Sequence, residues 1–355
     1  MPTQPHFGRR SASSLARNLT LLAVASGWRW TNERPDRLTP TWNRFFECRR
    51  KSCRNETGYW GCLMQDDIGP EEAAIRRLLA EMTPQWADLP VRCLVSSGTD
   101  NAIYRIGETL LLRLPRREAA AHLIDKEIDW LPRFADLPLE VPRLRFRGRA
   151  GFGLNCDFGI FDWMEGDIAS PANIADPAAA ALGLAAFLKA LHRVDTRGAP
   201  LAGELNHRRG VALEVLSSIT LPAIDIVADE IDGPAARQLW ERACATVHQG
   251  PPVWLHGDLK ADNLIARGGR LTGVIDWGLC AVGDPAADYA AAWSWVDPSA
   301  REAFRIACEV NDADWLRAEG WALYGAVIAL SYYRGGRNEA LCEQSRLTLS
   351  RLNLQ

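Results

Sequence analysis

The run His256-Gly257-Asp258-Leu259-Lys260-Ala261-Asp262-Asn263-Leu264-Ile265 holds a carboxylate and, five residues on, a carboxamide. Asp276 follows eighteen residues after Asp258, within Ile275-Asp276-Trp277-Gly278. Two carboxylates and an amide oxygen at this spacing suit in-line phosphoryl transfer. That reaction asks little covalent chemistry of a protein; it needs an aligned hydroxyl nucleophile and cations on the phosphate oxygens. Asp258 can orient the hydroxyl and take its proton. Asn263 can turn back and offer its amide oxygen to Mg²⁺, and Asp276 can bridge that metal to phosphates, because a hard, partly hydrated Mg²⁺ accepts oxygen ligands.

Elements on both sides must hold these loops. Short β-like stretches at 253–256, 263–266 and 271–275 bracket them. Upstream, acids and Pro70 open a helix over 71–82 whose Ile75, Leu78, Leu79 and Met82 share a face. Strand candidates at 91–95, 102–106 and 109–114 are separated by Ser97-Gly98-Thr99-Asp100-Asn101 and Gly107-Glu108, which reads as an antiparallel meander. A helix over 117–134 carries Pro132 in its last turns, and strands at 143–147 and 155–164 complete a five-stranded sheet. After Gly166 helical pattern dominates, at 175–194, 235–248, 300–310, 315–333 and 339–350. A β-rich lobe before a helical one is an α+β arrangement.

His-Gly-Asp-Leu-x-x-x-Asn followed by Ile-Asp-Trp-Gly resembles the catalytic and metal loops of the aminoglycoside phosphotransferase and choline kinase families, relatives of the protein kinases. Gly283-Asp284-Pro285-Ala286-Ala287-Asp288-Tyr289-Ala290 resembles the segment that opens the next helix in that family. The resemblance covers roughly 90–335 and implies a two-lobed kinase-like fold. It implies ATP as donor, with GTP an open alternative, Mg²⁺ as cofactor, and a small hydroxylated acceptor such as an aminoglycoside, an amino alcohol or a sugar. By the same resemblance Asp258 is the catalytic base, Asn263 and Asp276 are metal ligands, and His256 and Asp288 support the catalytic loop. Ser97, Gly98 and Thr99 stand where the family places its phosphate loop, although the segment has no Gly-x-Gly-x-x-Gly. Arg113 occupies the third strand where the family commonly carries Lys, with Glu127 as its partner; a guanidinium fork can bind phosphate bidentately. The backbone of Asp162, Trp163 and Met164 is expected to meet the adenine edge.

Other features carry weaker functional readings beside structural ones. Asp225, Asp229, Glu230 and Asp232 form an acidic stretch that could receive a polycation or be a solvated face. Trp293, Trp295, Trp315 and Trp321 line a pocket or fill a core. His192, on the Ala-rich helix, reads as a partly buried structural histidine.

Composition bounds the alternatives. The chain has 355 residues and a formal charge of −3, so no global basic field exists to hold nucleic acid. Residues 1–63 hold eleven basic and four acidic side chains, +7, which leaves −10 for the remainder. That step, with no motif before Met64, sets 1–63 apart as an extension, disordered or translated from upstream of the true start. The nucleotide-binding lobe then spans 64–165 and the catalytic, acceptor-binding lobe 166–355. Nine irregularly spaced cysteines without nearby histidines argue against zinc and fit a reducing, cytoplasmic setting. No apolar run reaches membrane-spanning length, and Leu21–Ala25 behind Arg9, Arg10 and Arg17 only loosely imitates a signal peptide. A non-catalytic nucleotide-binding module is the rival reading, kept alive by Arg113 in place of Lys and opposed by the intact Asp258, Asn263 and Asp276.

A chain beginning at Met64 is expected to match the full-length protein in melting temperature and nucleotide affinity; a clear loss of either would show that the extension packs on the two lobes.

Overall fold

The computed structural model describes residues 70–94, 100–149 and 156–355. The first lobe opens with α1 (Glu72–Met82), which buries Ala74, Ile75, Leu78 and Leu79 on one stripe. Strands β1 (Val91–Leu94), β2 (Asn101–Ile106) and β3 (Leu110–Pro115) form consecutive antiparallel pairs. Helix α2 (Ala121–Trp130) crosses to β4 (Leu144–Arg149) and β5 (Asp157–Asp162). The sheet order is β1-β2-β3-β5-β4, so the five strands are not a simple meander: β5 slots between β3 and β4. Burial explains that order. Phe158, Ile160 and Phe161 of β5 are buried, which fits an interior position. β4 alternates with Arg145, Arg147 and Arg149, charges that suit an edge strand.

The helix expected over 117–134 is broken into a 3₁₀ turn at Glu118–Ala120, α2, and a second 3₁₀ turn at Leu131–Phe134. Pro132 lacks the N–H an α-helix would use, and the chain tightens there. Packing also divides differently from the chain order. One core joins α1 to β1–β3 and β5. The other takes Ile124, Ile128, Leu131 and Phe134 of the α2 region into the core of the helical lobe. Helix α2 therefore belongs to the first lobe by sequence and faces the second by burial.

The second lobe begins with β6 (Asp167–Ile168) and α3 (Pro177–Leu191), whose N-terminus is capped by Asp176 accepting from Ala179 N–H at 3.0 Å. Then come α4 (Ser217–Ile226), α5 (Gly233–Cys244), β7 (Val253–Leu255), β8 (Leu264–Arg267), β9 (Arg270–Val274) and β10 (Ala281–Gly283). Helices α6 (Ala286–Tyr289), α7 (Ala291–Ser294), α8 (Arg301–Ala307), α9 (Asp312–Tyr333) and α10 (Glu339–Arg351) complete it. Helix α9 is the axis, burying Ala318, Trp321, Leu323, Val327 and Leu330. β7 pairs with β10, and β8 with β9 and β6. No helix among the described residues is long and apolar enough to cross a membrane.

Asp284 links this lobe's catalytic half to α9. Its Oδ1 accepts from Ala286 N–H at 3.0 Å, and its Oδ2 accepts from Arg317 Nε at 2.7 Å. Arg317 is 2% exposed and also bonds Asp314. Removing one partner of a buried ion pair strands the other charge. Asp284→Ala is therefore expected to cost roughly 3 kcal/mol in urea unfolding, and a change under ~1 kcal/mol would show that Asp314 alone satisfies the guanidinium.

Candidate active site

Two antiparallel strand pairs, β7 with β10 and β8 with β9, carry the loops that the sequence singles out. β7 ends at Leu255, opposite Ala281 of β10, and delivers His256-Gly257-Asp258. A 3₁₀ turn, Ala261–Asn263, leads into β8, and β9 returns the chain to Ile275-Asp276. Ile275 N–H donates to Asn263 O at 2.9 Å, which locks the two loops in register.

Asp288 holds the catalytic loop from beneath. Its two oxygens accept from His256 N–H at 2.7 Å and Gly257 N–H at 2.8 Å. The carboxyl is fully buried; burial pushes its pKa up, and the two N–H donors pull it down. His256 accepts at Nδ1 from Asp258 N–H at 3.2 Å, so Nε2 carries the proton and donates to Ile275 O at 3.0 Å. The imidazole is fully buried between the two loops and braces both. Gly257 has φ +83, and a Cβ there would stand 2.6 Å from Leu279 O, so the close approach of catalytic and metal loops requires glycine.

Asp258 Oδ2 accepts from Asn263 Nδ2 at 3.0 Å and lies 3.0 Å from Lys260 Nζ. Asn263 Nδ2 also donates to Asp258 O at 2.8 Å. The amide nitrogen is thus spent on Asp258, and the amide oxygen is the atom left for a metal. Burial pushes Asp258 up, but Lys260 and Arg209 outweigh it and hold the carboxyl well below the usual carboxylate range.

Arg113 ties the lobes together. It is 8% exposed on β3; Nη1 donates to Glu127 Oε1 at 2.5 Å and Nη2 to Asp276 Oδ1 at 2.8 Å. Glu127 Oε1 also accepts Trp277 N–H at 2.6 Å. The Glu127 carboxyl is raised to about 7, because burial, with the charge of Asp276, outweighs the pull of Arg113 and the Trp277 N–H. Burial acts against the Arg113 charge too, yet Glu127 and Asp276 more than offset it. Asp276 sits at φ +66 and ψ +68, left-handed backbone that a non-glycine residue occupies at a cost. Trp277 is fully buried, stacked on Phe134 at 4.7 Å and edge-on to His256 at 4.9 Å.

The segment between the lobes offers less backbone than expected. Asp162 N–H already donates to Arg143 O at 2.9 Å and Trp163 N–H to Thr109 O at 2.8 Å. Among the described residues Met164 N–H has no backbone partner, so of these three donors it alone is open to a base edge. The Asp162 side chain is paired with Arg145, and Trp163 lies under the Arg105 guanidinium at 4.1 Å. Ser97, Gly98 and Thr99 lie outside the described residues.

Several sequence candidates are not part of this cleft. Asp225 pairs with Arg237, Asp229 with Arg334, and Glu230 with Arg334 and Arg346; Asp232 caps α5. The acidic stretch is therefore paired with arginines of other segments, as expected of a solvated face. Trp293 and Trp315 pack on each other at 4.7 Å, Trp321 is 3% exposed, and Trp295 Nε1 donates to Ala169 O, so these rings are core. His192 packs edge-on against Tyr289, and burial pulls its pKa to about 4. Sequence reasoning passed over two cations at the base. Lys260 stood inside the motif, two residues from Asp258, and its alternation was the available signal; Arg209 had no sequence signal.

A model of the phosphotransferase enzyme family matches residues 92–321, more than half of the chain. The chain belongs to that phosphotransferase family. An aminoglycoside 3'-phosphotransferase of Escherichia coli is 25% identical over 228 residues, 60% of this chain and 80% of the relative. Another, from Salmonella typhimurium, is 28% identical over 170 residues, 47% of this chain and 60% of its own. In structure the chain is similar to aminoglycoside 2'-phosphotransferase-IIIa solved with GDP, at a TM-score of 0.61 and 20% identity, covering 80% of this chain and 99% of that one. Macrolide 2'-phosphotransferase type I aligns at 0.53 and 20% identity, covering 79% and 98%. At such identities the structural likeness establishes the fold, two-lobed and α+β, while the family match makes the chain a small-molecule O-phosphotransferase.

Arg113→Ala would leave the Glu127 carboxyl buried without its ion pair, at about 3–5 kcal/mol. The variant is expected to melt earlier and to raise the KM for nucleotide, with Arg113→Lys restoring part of both. An unchanged melting curve and KM would show that this phosphotransferase does not use Arg113 to join its lobes.

Proposed function

We propose that this phosphotransferase moves the γ-phosphoryl group of ATP to a hydroxyl of a small molecule, with Mg²⁺ as cofactor and in a cytoplasmic setting. The observation that carries this reading is the convergence of Asp258, Asn263 and the Arg113–Asp276 pair on one cleft between the lobes. Two oxygen donors fit the metal: the amide oxygen of Asn263, and Asp276, whose side chain is 48% exposed and uses only Oδ1 on Arg113. Mg²⁺ is ordinarily held by one or two side chains together with substrate phosphates, so a fuller protein cage is not needed. When bound, the ion neutralises phosphate charge as it builds.

The residues of this chain supply the remainder. Asp258 Oδ2 is engaged by Lys260 and Asn263, which leaves Oδ1 to accept the acceptor's O–H. The acceptor oxygen forms a bond to the γ-phosphorus while the bond to the β,γ-bridging oxygen breaks. The electron pair leaves with the diphosphate, and the hydroxyl proton passes to Asp258. A carboxylate held this low is a weak base. That suits a loose transition state in which orientation matters more than early proton removal. Arg113 would turn a nitrogen from Asp276 to the phosphates, and Met164 N–H would meet the base. The relatives solved with GDP, ADP and AMP-PNP support a nucleotide in this cleft and leave the choice of base to measurement.

Asp258→Asn is expected to lower turnover by ~10²–10⁴ while Mg-ATP affinity stays within a few-fold. Asp276→Asn is expected to weaken both, since it faces the metal and Arg113. Calorimetric Mg-ATP binding beside steady-state rates tests this, and equal damage to nucleotide affinity by both substitutions would sink the division of roles. Nucleotide binding without transfer to any acceptor would favour a non-catalytic module.

A further inference from the structure

The base is flanked by an arginine that has no carboxylate of its own. Arg209 packs its Cβ 3.4 Å from where a Gly257 Cβ would stand, so it lies directly against the catalytic loop. Its guanidinium is 5.2 Å over the Tyr324 ring, and after Lys260 its field is the next largest that holds Asp258 low. Its Nε is buried without a hydrogen-bond partner, and among the described residues no carboxylate lies within ion-pair distance of it. Arg334 and Arg346 are committed to Asp229, Glu230 and Glu339, while Arg301 and Arg351, also half-buried, donate to the carbonyls of Ala292 and Trp293 away from the catalytic loop.

The loop that presents Arg209 is built for the purpose. Asn206, 1% exposed, accepts from Gly203 N–H at 2.8 Å, and its Nδ2 donates to Arg209 O at 2.7 Å. His207 and Arg208 both have left-handed backbone, at φ +52 and +59, a strained pair for non-glycine residues. Beside the loop, Lys126 is 7% exposed and donates to Leu205 O at 2.7 Å, again with no carboxylate in ion-pair range. Lys260 stands 3.0 Å from Asp258 Oδ2 as a second cation beside that carboxylate. Of the acids nearby, Asp100 pairs with Arg117, while Asp262 accepts from the neutral Gln344 amide at 3.1 Å and keeps its charge.

An anion reaching Arg209 would meet a guanidinium that has no carboxylate partner among the described residues, and a cationic group placed there would be repelled. Arg113 belongs to the first lobe and Asp276 to the loop after β9, whereas Arg209 comes from the loop ahead of α4 (Ser217–Ile226), in the lobe that carries Asp258. Resting on the phosphotransferase reading above, we propose that the acceptor is an anionic hydroxy compound, whose carboxylate or phosphate oxygens are gripped by the Arg209 guanidinium while its hydroxyl faces Asp258. The transfer is unchanged: the acceptor's hydroxyl oxygen bonds the γ-phosphorus, the diphosphate leaves, and Asp258 receives the proton.

The test is γ-phosphoryl transfer from Mg-ATP by the full chain to acceptors of matched scaffold. One set is gluconate, glucose 6-phosphate, glucose and glucosamine; the other is glycerate, glycerol 3-phosphate, glycerol and serinol; kanamycin serves as the polycation. The anionic members are expected to lead each set in kcat/KM, and the better of carboxylate and phosphate identifies the source of the oxyanion. Arg209→Gln is expected to raise KM for the preferred anion by about 10- to 100-fold, the worth of a charged hydrogen bond, and Arg209→Lys to recover part of it. Melting curves and calorimetric Mg-ATP affinity for both variants separate misfolding and nucleotide loss from acceptor loss. Preference for kanamycin or the amines, or no preference for the anions, overturns this proposal and leaves the phosphotransferase reading standing. An Arg209→Gln loss in kcat alike for every acceptor also overturns it, because the guanidinium would then serve the transferred group. Intact Mg-ATP binding without transfer to any acceptor or to water overturns both readings.

Discussion

The buried contact of Arg113 with Glu127 is the joint on which the site depends. It joins a central strand of the sheet to α2, and through Glu127 Oε1 it also receives the Trp277 N–H of the metal loop. Arg113 extends the same joint to Asp276. Three segments far apart in sequence thus share one small set of charges inside low-dielectric surroundings, where an unpaired member is costly. The hydrophobic packing runs in parallel: Ile124, Ile128 and Phe134 enter the core of the second lobe, and Trp277 stacks on Phe134. A shift of α2 would therefore move Asp276 and Arg113, the proposed metal and phosphate ligands, together.

A second polar assembly fixes the catalytic loop independently. Asp288 holds the N–H groups of His256 and Gly257, and His256 spans from Asp258 N–H to Ile275 O. Each donor and acceptor here is buried and matched, so the loop has a single low-energy conformation. Asn263 then closes the loop on Asp258 by two hydrogen bonds. The result is preorganisation: a carboxylate aimed before substrate arrives, which is the main contribution a protein can make to a loose phosphoryl transfer.

The chemistry of the loops was legible in the chain because it is local. Asp258, Asn263 and Asp276 are spaced by short strands, and turn residues such as Gly257 mark where backbones must approach closely. The pairing of Arg113 with Glu127 was also legible, through resemblance of strand and helix positions. Less so was the sheet order. Alternation of apolar residues gives each strand a face but not a neighbour, and the insertion of β5 between β3 and β4 follows from burial of Phe158, Ile160 and Phe161. The α-helix boundary at Pro132 and the loss of two hinge donors to Arg143 O and Thr109 O are likewise set by contacts across the fold.

The sequence by itself determined the reaction type and the two-lobed α+β class, because motif spacing and helix or strand period are properties of neighbouring residues. Tertiary structure decided which charges are free. The acidic stretch Asp225–Asp232 reads in the chain as either a cation receptor or a solvated face, and its ion pairs with Arg237, Arg334 and Arg346 appear only in the fold. Arg209 reads as an ordinary surface charge until the turn held by Asn206 sets it beside Gly257 without a carboxylate. Charge in a cleft is a sum over side chains brought together by folding, and no local pattern in the chain encodes that sum.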